Sequence, residues 1–347
     1  MHQGSSGRVL ASDFEELSGL AESAGAMVVG RIGATRRVPV AGTFVGRGKA
    51  QEIADWVAAQ GADLVIVDQA ISPVQERNLE QLTKCRVIDR TRLILDIFAL
   101  RAQSHEGKLQ VELAQLRHLS TRLVRGWTHL ERQRGGIGLR GPGETQLETD
   151  RRLIGLRIRH LQKRLSKVGL QRSLRRHRRK RERVPTVAII GYTNTGKSSL
   201  FNRLVEAQSY CADQLFATLD PTMRRLDLHG FGPVILSDTV GFIQGLPHAL
   251  VQAFLSTLEE VSSADFLLRV ADDSHPDVRE QEAEVERVLE EIGASHIPSL
   301  VIRNKCDASG RDAGLFAGQW HPGPVIRTSA RTGDGIEVVR TQLARSL

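Results

Sequence analysis

Aromatic residues, cysteines and long hydrophobic runs are all scarce in this chain of 347 residues. Phenylalanine, tryptophan and tyrosine make up only 4% of it, so we expect cores built from valine, isoleucine, leucine and alanine. The cysteines, Cys85, Cys211 and Cys306, lie far apart without metal-ligand spacing, which favours free thiols in a reducing cytosol. No run approaches the roughly 18 apolar residues of a membrane span, and the first residues lack the apolar segment of a secretory signal. We therefore expect a cytoplasmic protein.

Positive charge is in excess, and most of the excess lies in one stretch. The net charge of +8 and the sequence pI near 9.8 point to a polyanionic partner, either a nucleic acid or a membrane surface. Residues 151–183 contain fifteen lysines and arginines but a single acidic residue, Glu182. A run of charge is often only a solvated face, but this surplus exceeds what solubility requires and favours contacts with backbone phosphates. No aromatic side chains lie among these charges, so base stacking is not predicted there.

The first part of the chain, residues 1–103, is predicted to be a small α/β domain. Ser72 followed by Pro73 has the pattern of a helix start. Strands and helices alternate along the segment, and such alternation predicts a parallel sheet. The expected elements are a short helix at 13–20, strands at 26–29, 43–45, 63–68 and 86–89, and helices at 48–57 and 73–82.

Residues 104–183 are predicted to form two long helices that pair as an antiparallel hairpin. Apolar residues recur there at alternating steps of four and three, which is the narrow seam of a coiled coil. A loop rich in glycine and arginine, residues 134–144, joins the helices, and Thr145 with Glu148 has the pattern of a capping box that opens the second helix. The loop is either a disordered linker or, as we favour, a flexible basic tip that contacts a structured RNA. The seam positions are Leu109, Leu113, Leu116, Ser120 and Leu123, then Ile154, Ile158, Leu161, Leu165 and Val168.

The remaining residues, 184–347, are organised around Gly191–Ser198, which reads GYTNTGKS. Every fixed position of the phosphate-binding loop pattern G-x-x-x-x-G-K-[ST] is present. An apolar strand at 186–190 precedes the loop and a segment with helical spacing follows it, which is the context that the pattern requires. The backbone N–H groups of such a loop bind phosphate oxygens, and the helix dipole assists them. Lys197 would reach the β- and γ-phosphates, and the Ser198 hydroxyl would bind Mg²⁺.

A loop of this kind serves ATP or GTP, and Asn304–Asp307, which reads NKCD, favours GTP. It follows a strand predicted at 299–303, so it lies at a carboxyl end of the sheet, where such folds bind ligands. The sequence resembles the guanine-recognition element of GTPases: the Asp307 carboxylate can accept hydrogen bonds from guanine N1–H and N2–H, which adenine does not offer. Asn304 and the Lys305 stem would brace the loop and the base. Thr328–Arg331 resembles the last GTPase motif, in which the Ala330 N–H donates to guanine O6.

Two further segments resemble the switch regions of GTPases. Asp238–Gly241 matches D-x-x-G: Asp238 would hold Mg²⁺ through water, and the Gly241 N–H would bond the γ-phosphate. Phe216–Pro221 resembles switch I, with Thr218 as the second protein ligand of Mg²⁺ and Thr222 as the rival candidate. Both loops are expected to order with GTP and to relax after hydrolysis.

Two residues in these motifs predict dependence on help from outside the chain. Phe242 stands where many such enzymes place a glutamine that orients the attacking water, which predicts slow intrinsic hydrolysis unless a partner supplies that function. Asn194 gives the pattern G-x-x-N-x-G-K-S, which resembles loops of GTPases that use K⁺ as a fixed charge, so K⁺ is a candidate cofactor beside Mg²⁺.

These motifs define the candidate site. Its predicted catalytic residues are Lys197, Thr218, Gly241 and Asn194, and its predicted metal ligands are Ser198, Thr218 and Asp238. The residues expected to contact the nucleotide are Gly191, Tyr192, Thr193, Asn194, Thr195, Gly196, Lys197, Ser198, Ser199, Phe216, Ala217, Thr218, Leu219, Asp220, Asp238, Thr239, Val240, Gly241, Asn304, Lys305, Cys306, Asp307, Ser329, Ala330 and Arg331.

Four longer stretches are similar to the HflX family of ribosome-associated GTPases. They are residues 106–116, 135–152, 213–222 and 238–248, and the similarity extends over roughly residues 25–345. Two features depart from the usual pattern of the family. Arg269 lies in a strand that is usually more apolar there and is expected to project from a sheet edge, and the sequence ends at Leu347, where family members often carry a further small C-terminal domain.

The resemblance implies a fold and an activity. The fold is α/β: a P-loop GTPase domain with a mostly parallel sheet and helices on both faces, preceded by the small α/β domain and the helical hairpin. The implied activity is Mg²⁺-dependent hydrolysis of GTP by a cytoplasmic, partly ribosome-associated monomer that binds the large (50S) ribosomal subunit and its rRNA. Splitting or rescue of stalled ribosomes is the favoured role. The alternative is a nucleotide-switched RNA-binding assembly or scaffold factor for the large subunit, with incidental slow turnover.

Overall fold

The computed structural model divides the chain into two compact units. One comprises Met1–Leu100 with Lys108–Leu165, and the other comprises Arg101–Gly107 with Ser166–Leu347. No helix within the described residues is long and apolar enough to cross a membrane. The residues that the structure describes are 11–34, 38–126, 142–181, 184–206, 215–216, 218–243, 255–318 and 323–347.

The N-terminal unit contains a two-stranded parallel sheet, as the alternating pattern predicts. Ser72 forms a capping box with Gln75, because each side chain accepts a hydrogen bond from the backbone N–H of the other residue. Val67 and Val87, one on each strand, are buried in the core of this unit. Its elements are α1 (Ala11–Ser23), α2 (Arg47–Gln60), β1 (Leu64–Val67), α3 (Pro73–Thr83), β2 (Arg86–Asp89) and α4 (Arg90–Arg101).

The two short strands predicted at 26–29 and 43–45 were wrong. Residues 26–29 have no regular structure, and Met27 is 85% exposed, so this apolar run packs on no sheet. At 43–45 the chain turns instead of extending, because Phe44 has a φ of 64° and forms only an isolated bridge with Val40. Both segments were predicted from composition alone, and composition does not show whether a partner strand is available.

Two long helices follow, α5 (His105–Gly126) and α6 (Pro142–Arg181). The predicted seam is confirmed in part, because six seam residues from the two helices form one apolar cluster, whereas Ser120, Ile154 and Val168 do not belong to it. The capping box predicted at Thr145 is wrong as a helix start, since α6 begins at Pro142, a residue well suited to a first helical turn. Residues 134–141 of the glycine-rich loop lie outside the described residues. The cluster contains Leu109, Leu113 and Leu161, with Leu116, Ile158 and Leu165 packed against it.

The second unit is built on a seven-stranded sheet with the order β4-β5-β3-β6-β7-β9-β8. Its interior strands are parallel, while the edge strands β4 and β8 are antiparallel to their neighbours. The strands are β3 (Thr186–Gly191), β4 (Thr222–Leu228), β5 (Gly232–Asp238), β6 (Phe266–Asp272), β7 (Ser299–Asn304), β8 (Gly314–Ala317) and β9 (Pro324–Arg327). The helices are α7 (Lys197–Leu204), α8 (Leu255–Ser262), α9 (Val278–Glu291), α10 (Cys306–Ser309) and α11 (Ile336–Ser346).

The expectation that Arg269 projects from a sheet edge is corrected by this topology. Strand β6 is interior, between β3 and β7. Arg269 is tolerated there because its guanidinium reaches the rim of α9 and pairs with Glu286 at 2.5 Å. The pair lies on the side of the sheet that α9 covers. The charge of Arg269 is therefore neutralised although the residue lies on an interior strand.

Candidate nucleotide-binding site

The phosphate-binding loop connects β3 to α7, as the sequence predicts. Strand β3 is buried along its whole length, which fixes where the loop begins. Gly196 ends the loop with a φ of 85°, in the left-handed region that glycine favours. A Cβ on Gly196 would lie 2.2 Å from the side-chain nitrogen of Asn304. Glycine therefore allows the Asn304–Asp307 segment to approach the loop closely.

A cavity of about 420 Å³ opens beside this loop. Its walls come from all five predicted motifs, although these lie far apart in the sequence. Ala308 also lines the cavity, although the sequence did not predict it as a site residue. Its position directly after Asp307 could have indicated this contact. The cavity is lined by Thr193, Asn194, Gly196, Lys197, Ser198, Ser199, Phe216, Thr218, Thr239, Gly241, Asn304, Lys305, Asp307, Ala308, Ala330 and Arg331.

Other predicted contact residues do not line the cavity. Several of these are buried behind its wall, including Leu219 and Cys306. Asp238 also lies behind the wall, but its carboxylate contacts two residues that do line the cavity. Ala217 lies outside the described residues. The full set without a place in the lining is Gly191, Tyr192, Thr195, Leu219, Asp220, Asp238, Val240, Cys306 and Ser329.

The three predicted metal ligands meet at one point. The Ser198 Oγ donates to Asp238 Oδ2 at 2.7 Å, and the Thr218 Oγ1 donates to the same oxygen at 2.9 Å. The two hydroxyl oxygens are 2.7 Å apart. Thr222, the rival of Thr218, is the first residue of β4 and does not line the cavity. The contacts therefore favour Thr218.

The chemistry of this cluster fits a magnesium ion bound chiefly by phosphate and water. The second carboxylate oxygen of Asp238, Oδ1, is buried and has no hydrogen-bond partner in the described part of the chain. Burial raises the pKa of Asp238 above its ordinary value, although hydrogen bonds from Ser198 and Thr218 oppose the shift. A nearby cation would favour the ionised carboxylate. Two hydroxyls and one carboxylate are hard oxygen donors of the kind that Mg²⁺ accepts beside a nucleotide.

Lys197 is the buried cation of the site. Its Nζ donates to the backbone oxygen of Tyr192 at 2.5 Å. Burial lowers the pKa of Lys197 to about 8, while the negative charge of Asp238 acts in the opposite direction. A bound phosphate would favour the charged ammonium and raise this pKa again.

Binding of GDP is therefore expected to take up about half a proton per nucleotide at pH 8 and about a tenth at pH 7. These values follow because a group with a pKa near 8 is half neutral at pH 8 and regains its proton when phosphate binds. Calorimetric titration in two buffers of different ionisation enthalpy measures the uptake. The rise between the two pH values is the internal control, since uptake by a phosphate would fall with pH. An uptake that is flat or declines over this range would contradict the role of Lys197.

The residue after Gly241 lies against the phosphate loop. The Phe242 N–H donates to the Gly191 oxygen at 3.0 Å, and the Thr193 N–H donates to the Phe242 oxygen at 2.7 Å. The Phe242 side chain is only 2% exposed. Its ring is therefore held in the apolar interior, and an apolar ring offers no group that could position a water molecule.

Asn304 joins three of the motifs. Its side-chain Nδ2 donates to the Thr195 oxygen of the phosphate loop at 2.9 Å. Its Oδ1 accepts from the Ala330 N–H at 2.9 Å, the group predicted to donate to guanine. The phosphate loop, the NKCD segment and the Thr328–Arg331 segment are thus held together by one amide.

Asp307 occupies one end of the cavity, on the short helix α10. The preceding Lys305 has a φ of 65°, and its Nζ lies 2.7 Å from the Asp272 carboxylate. Arg331 approaches Asp307 at 3.9 Å but is 88% exposed, so this ion pair is weak. The Asp307 carboxylate thus remains accessible to a ligand in the cavity.

Asp220, in the predicted switch I, contacts a different part of the same unit. Its Oδ2 accepts from the backbone N–H groups of Gln103 and Ser104 at 3.0 and 2.7 Å. Its Oδ1 accepts from the Ser104 hydroxyl at 2.5 Å. A Cβ on Gly107 would lie 2.3 Å from the same carboxylate oxygen. The side chain that follows Thr218 and Leu219 is therefore engaged with the segment at 103–107 and not with the cavity.

Three sequence families match consecutive parts of the chain. Residues 11–99 match the family described as GTP-binding GTPase N-terminal, and residues 101–179 match GTP-binding GTPase Middle Region. Residues 186–305 match the family described as 50S ribosome-binding GTPase. Together the three matches extend, with short gaps, from residue 11 to residue 305.

Individual relatives give a consistent result. GTPase HflX of Escherichia coli K12 is 60% identical over 295 residues, which cover 85% of this chain and 69% of the relative. GTPase HflX of Magnetococcus marinus is 47% identical over 335 residues, which cover 96% of this chain and 77% of the relative. A solved structure of SsGBP in complex with GDP is 27% identical, with a TM-score of 0.53 and 97% of both chains covered. The chain therefore belongs to the HflX family of GTPases, and its P-loop GTPase domain hydrolyses GTP.

Proposed function

We propose that this GTPase binds the large (50S) ribosomal subunit through its basic helix and uses the GTP cycle to split or rescue stalled ribosomes. The observation that carries the proposal is the exposed positive face of α6: Arg151, Arg152, Arg159 and Lys163 are all solvent-exposed. Such a surface suits backbone phosphates of RNA. The description of the matching family as 50S ribosome-binding agrees with this partner.

The site residues take the following roles in this proposal. Lys197 binds the β- and γ-phosphates, and the N–H groups of the phosphate loop orient them. Ser198 and Thr218 would hold Mg²⁺ directly and Asp238 would hold it through water. Mg²⁺, when bound, offsets the negative charge that the phosphates develop. The Gly241 N–H bonds the γ-phosphate, so that switch II senses GTP.

Base selection is assigned to the other end of the cavity. Asp307 accepts hydrogen bonds from guanine N1–H and N2–H. The Ala330 N–H, which now donates to Asn304 at 2.9 Å, would redirect to guanine O6. Asn304 and Lys305 hold these groups in place from behind.

The proposal includes slow turnover of GTP in the absence of a partner, because of two residues, Phe242 and Asn194. The buried Phe242 ring leaves the attacking water without the usual amide. Asn194 lines the cavity with a φ of 59°, a backbone conformation that asparagine tolerates better than most residues. We assign to Asn194 the binding of K⁺, which would serve as a fixed charge near the phosphates in place of an arginine.

Purified large subunits are expected to raise the GTP turnover of this protein at least about tenfold, and more in K⁺ than in Na⁺ at equal ionic strength. The reason is that the ribosome supplies the positioning that Phe242 cannot. Steady-state phosphate release with and without large subunits measures the effect. Equal rates with and without subunits would contradict stimulation of GTP hydrolysis by the large subunit. Equal rates in the two salts would contradict the proposed role of K⁺.

A matched pair of variants tests the basic surface by binding to purified large subunits at several salt concentrations. Replacing Arg151 and Arg152 with glutamine should weaken subunit binding severalfold and reduce its salt dependence. The control replaces Arg224 and Arg225, two exposed arginines of strand β4, with glutamine and removes the same charge. Equal losses in both variants would show that net charge, and not the α6 surface, determines binding.

The second candidate function is an RNA-binding assembly or scaffold factor whose affinity follows the bound nucleotide. The buried Phe242 ring is compatible with this candidate, since it suits a slow switch as well as a stimulated enzyme. Unstimulated turnover together with GTP-dependent subunit binding would support this candidate. A cytoplasmic location and a monomeric state remain predictions.

A further inference from the structure

Two consecutive acidic residues lie at the carboxyl end of the interior strand β6: Asp272 is its last residue, and Asp273 follows it. Each residue is only 7% exposed, and neither lines the cavity. In the sequence these two carboxylates stand out because they come at the end of an apolar run, and none of the GTPase motifs gives them a role. Buried carboxylates are costly unless they are paired and hydrogen-bonded. The groups that pair with these two therefore indicate what they do.

Asp272 holds the lysine within the NKCD turn. Its Oδ2 lies 2.7 Å from Lys305 Nζ, while its Oδ1 accepts from the Ser274 N–H and hydroxyl at 2.9 and 2.6 Å. Burial would raise the pKa of Asp272, but the hydrogen bonds from Lys305 and Ser274 outweigh it and lower the pKa below its ordinary value. The carboxylate is therefore ionised at neutral pH and fixes Lys305 at the start of α10.

Asp273 holds the residues that follow the same turn. Its Oδ2 accepts from the Ser309 hydroxyl at 2.8 Å, and its Oδ1 accepts from Arg311 at 3.0 Å. The Asp273 backbone N–H donates to the Asn304 oxygen at 2.8 Å, so Asp273 also holds the first residue of the NKCD segment. The Asp273 side chain is 3% exposed whereas that of Arg311 is 56% exposed, so Ser309 is the better shielded contact.

Asp307 therefore lies on one turn of helix whose start is held by Asp272 through Lys305 and whose end is held by Asp273 through Ser309. The four residues of α10, Cys306–Ser309, are too few to hold their shape by helix hydrogen bonds alone. Two hydrogen bonds from guanine to one carboxylate require that carboxylate to be placed closely. We propose that Asp273 is a positioning residue for base selection, which acts by holding Ser309 and so fixing the place of Asp307 in the cavity.

This proposal rests on the proposed role of Asp307, and its main test is the ratio of the affinities for GDP and IDP. IDP, inosine diphosphate, keeps the phosphates and the N1–H of the base but lacks the 2-amino group. Only the hydrogen bond from N2–H to Asp307 is therefore lost. The unaltered protein is expected to prefer GDP roughly ten- to hundredfold, the range for one hydrogen bond to a charged group. In Asp273→Ala the preference should fall below about threefold, because a loosely held carboxylate cannot satisfy both donors.

Variants of comparable structural cost separate positioning from general stability. Glu282→Ala removes the partner of Arg303, which it contacts at 2.8 Å, and thus breaks a largely buried ion pair of the same domain that joins α9 to β7 and does not involve a residue of α10. It should leave the GDP-to-IDP ratio unchanged, even if its unfolding midpoint falls. Ser309→Ala, a mild change that tests the same contact if Asp273→Ala does not fold, should lower the ratio at least about threefold. Asp273→Asn, which keeps an oxygen acceptor for Ser309, should restore most of the preference.

The outcomes are distinct. A reduced ratio in Asp273→Ala and Ser309→Ala, with an unchanged ratio in Glu282→Ala, supports the proposal. A normal preference in the unaltered protein that persists in Asp273→Ala or Ser309→Ala overturns the proposal and leaves the role of Asp307 intact. An unaltered protein that binds GDP and IDP equally contradicts guanine recognition by Asp307, and the positioning role falls with it.

Discussion

Replacing Asp307 with asparagine is expected to lower the affinity for GTP by about a hundredfold and to raise that for XTP. Asparagine cannot accept both donors of guanine, so two hydrogen bonds to a charged acceptor are lost, each contributing about 1.5 kcal/mol or more. The introduced amide can instead donate to the 2-oxo group of xanthine. Competition against a fluorescent guanine nucleotide measures both affinities.

The nearby Arg331 provides the control for this prediction. Its guanidinium lies 3.9 Å from the Asp307 carboxylate, but the side chain is 88% exposed. Although Arg331 lines the cavity, Arg331→Ala should lower the affinity for GTP far less than Asp307→Asn, by about threefold, since exposed ion pairs contribute little. An Asp307→Asn variant with unaltered GTP affinity would show that the base is selected elsewhere in the cavity.

Local sequence patterns were sufficient to predict several parts of the site and the fold. The phosphate loop was predictable because its glycines, lysine and serine are fixed by short spacing, and the backbone geometry that they require is local. The placement of NKCD beside that loop followed from the rule that parallel sheets bind ligands at their carboxyl edge. The parallel pairing of β1 and β2 followed in the same way from the alternation of strands and helices.

Contacts between residues far apart in the chain were not predictable in this way. Asn304 bonds Thr195 across 109 positions of sequence, and Asp220 bonds Ser104 across 116. Each depends on where two elements meet in space, which no local pattern records. Arg269 shows the same limit: its charge within an apolar strand made it unexpected, but only the position of Glu286 on α9 explains why it is tolerated.

Gly241 is the position where such a long-range contact predicts the largest effect on catalysis. A Cβ there would lie 2.9 Å from the Thr193 Cα and from Lys197 Nζ. The lysine end can move, but the Thr193 backbone is held by the Phe242 oxygen at 2.7 Å, so the switch must shift away from the phosphate loop. The Gly241 N–H would then miss the γ-phosphate, and loss of one such donor typically costs a factor of about 10²–10³ in rate.

We therefore expect Gly241→Ala to hydrolyse GTP at least about a hundredfold more slowly in the presence of large subunits. GDP affinity should change by less than about fivefold, because GDP has no γ-phosphate for the lost donor to contact. Single-turnover hydrolysis and GDP titration measure the two effects. Gly323→Ala is the matched control, since a Cβ at Gly323 meets nothing within 4 Å. If Gly241→Ala kept the unaltered rate, or lost GDP and GTP binding equally, Gly241 would not be the residue through which switch II senses the γ-phosphate.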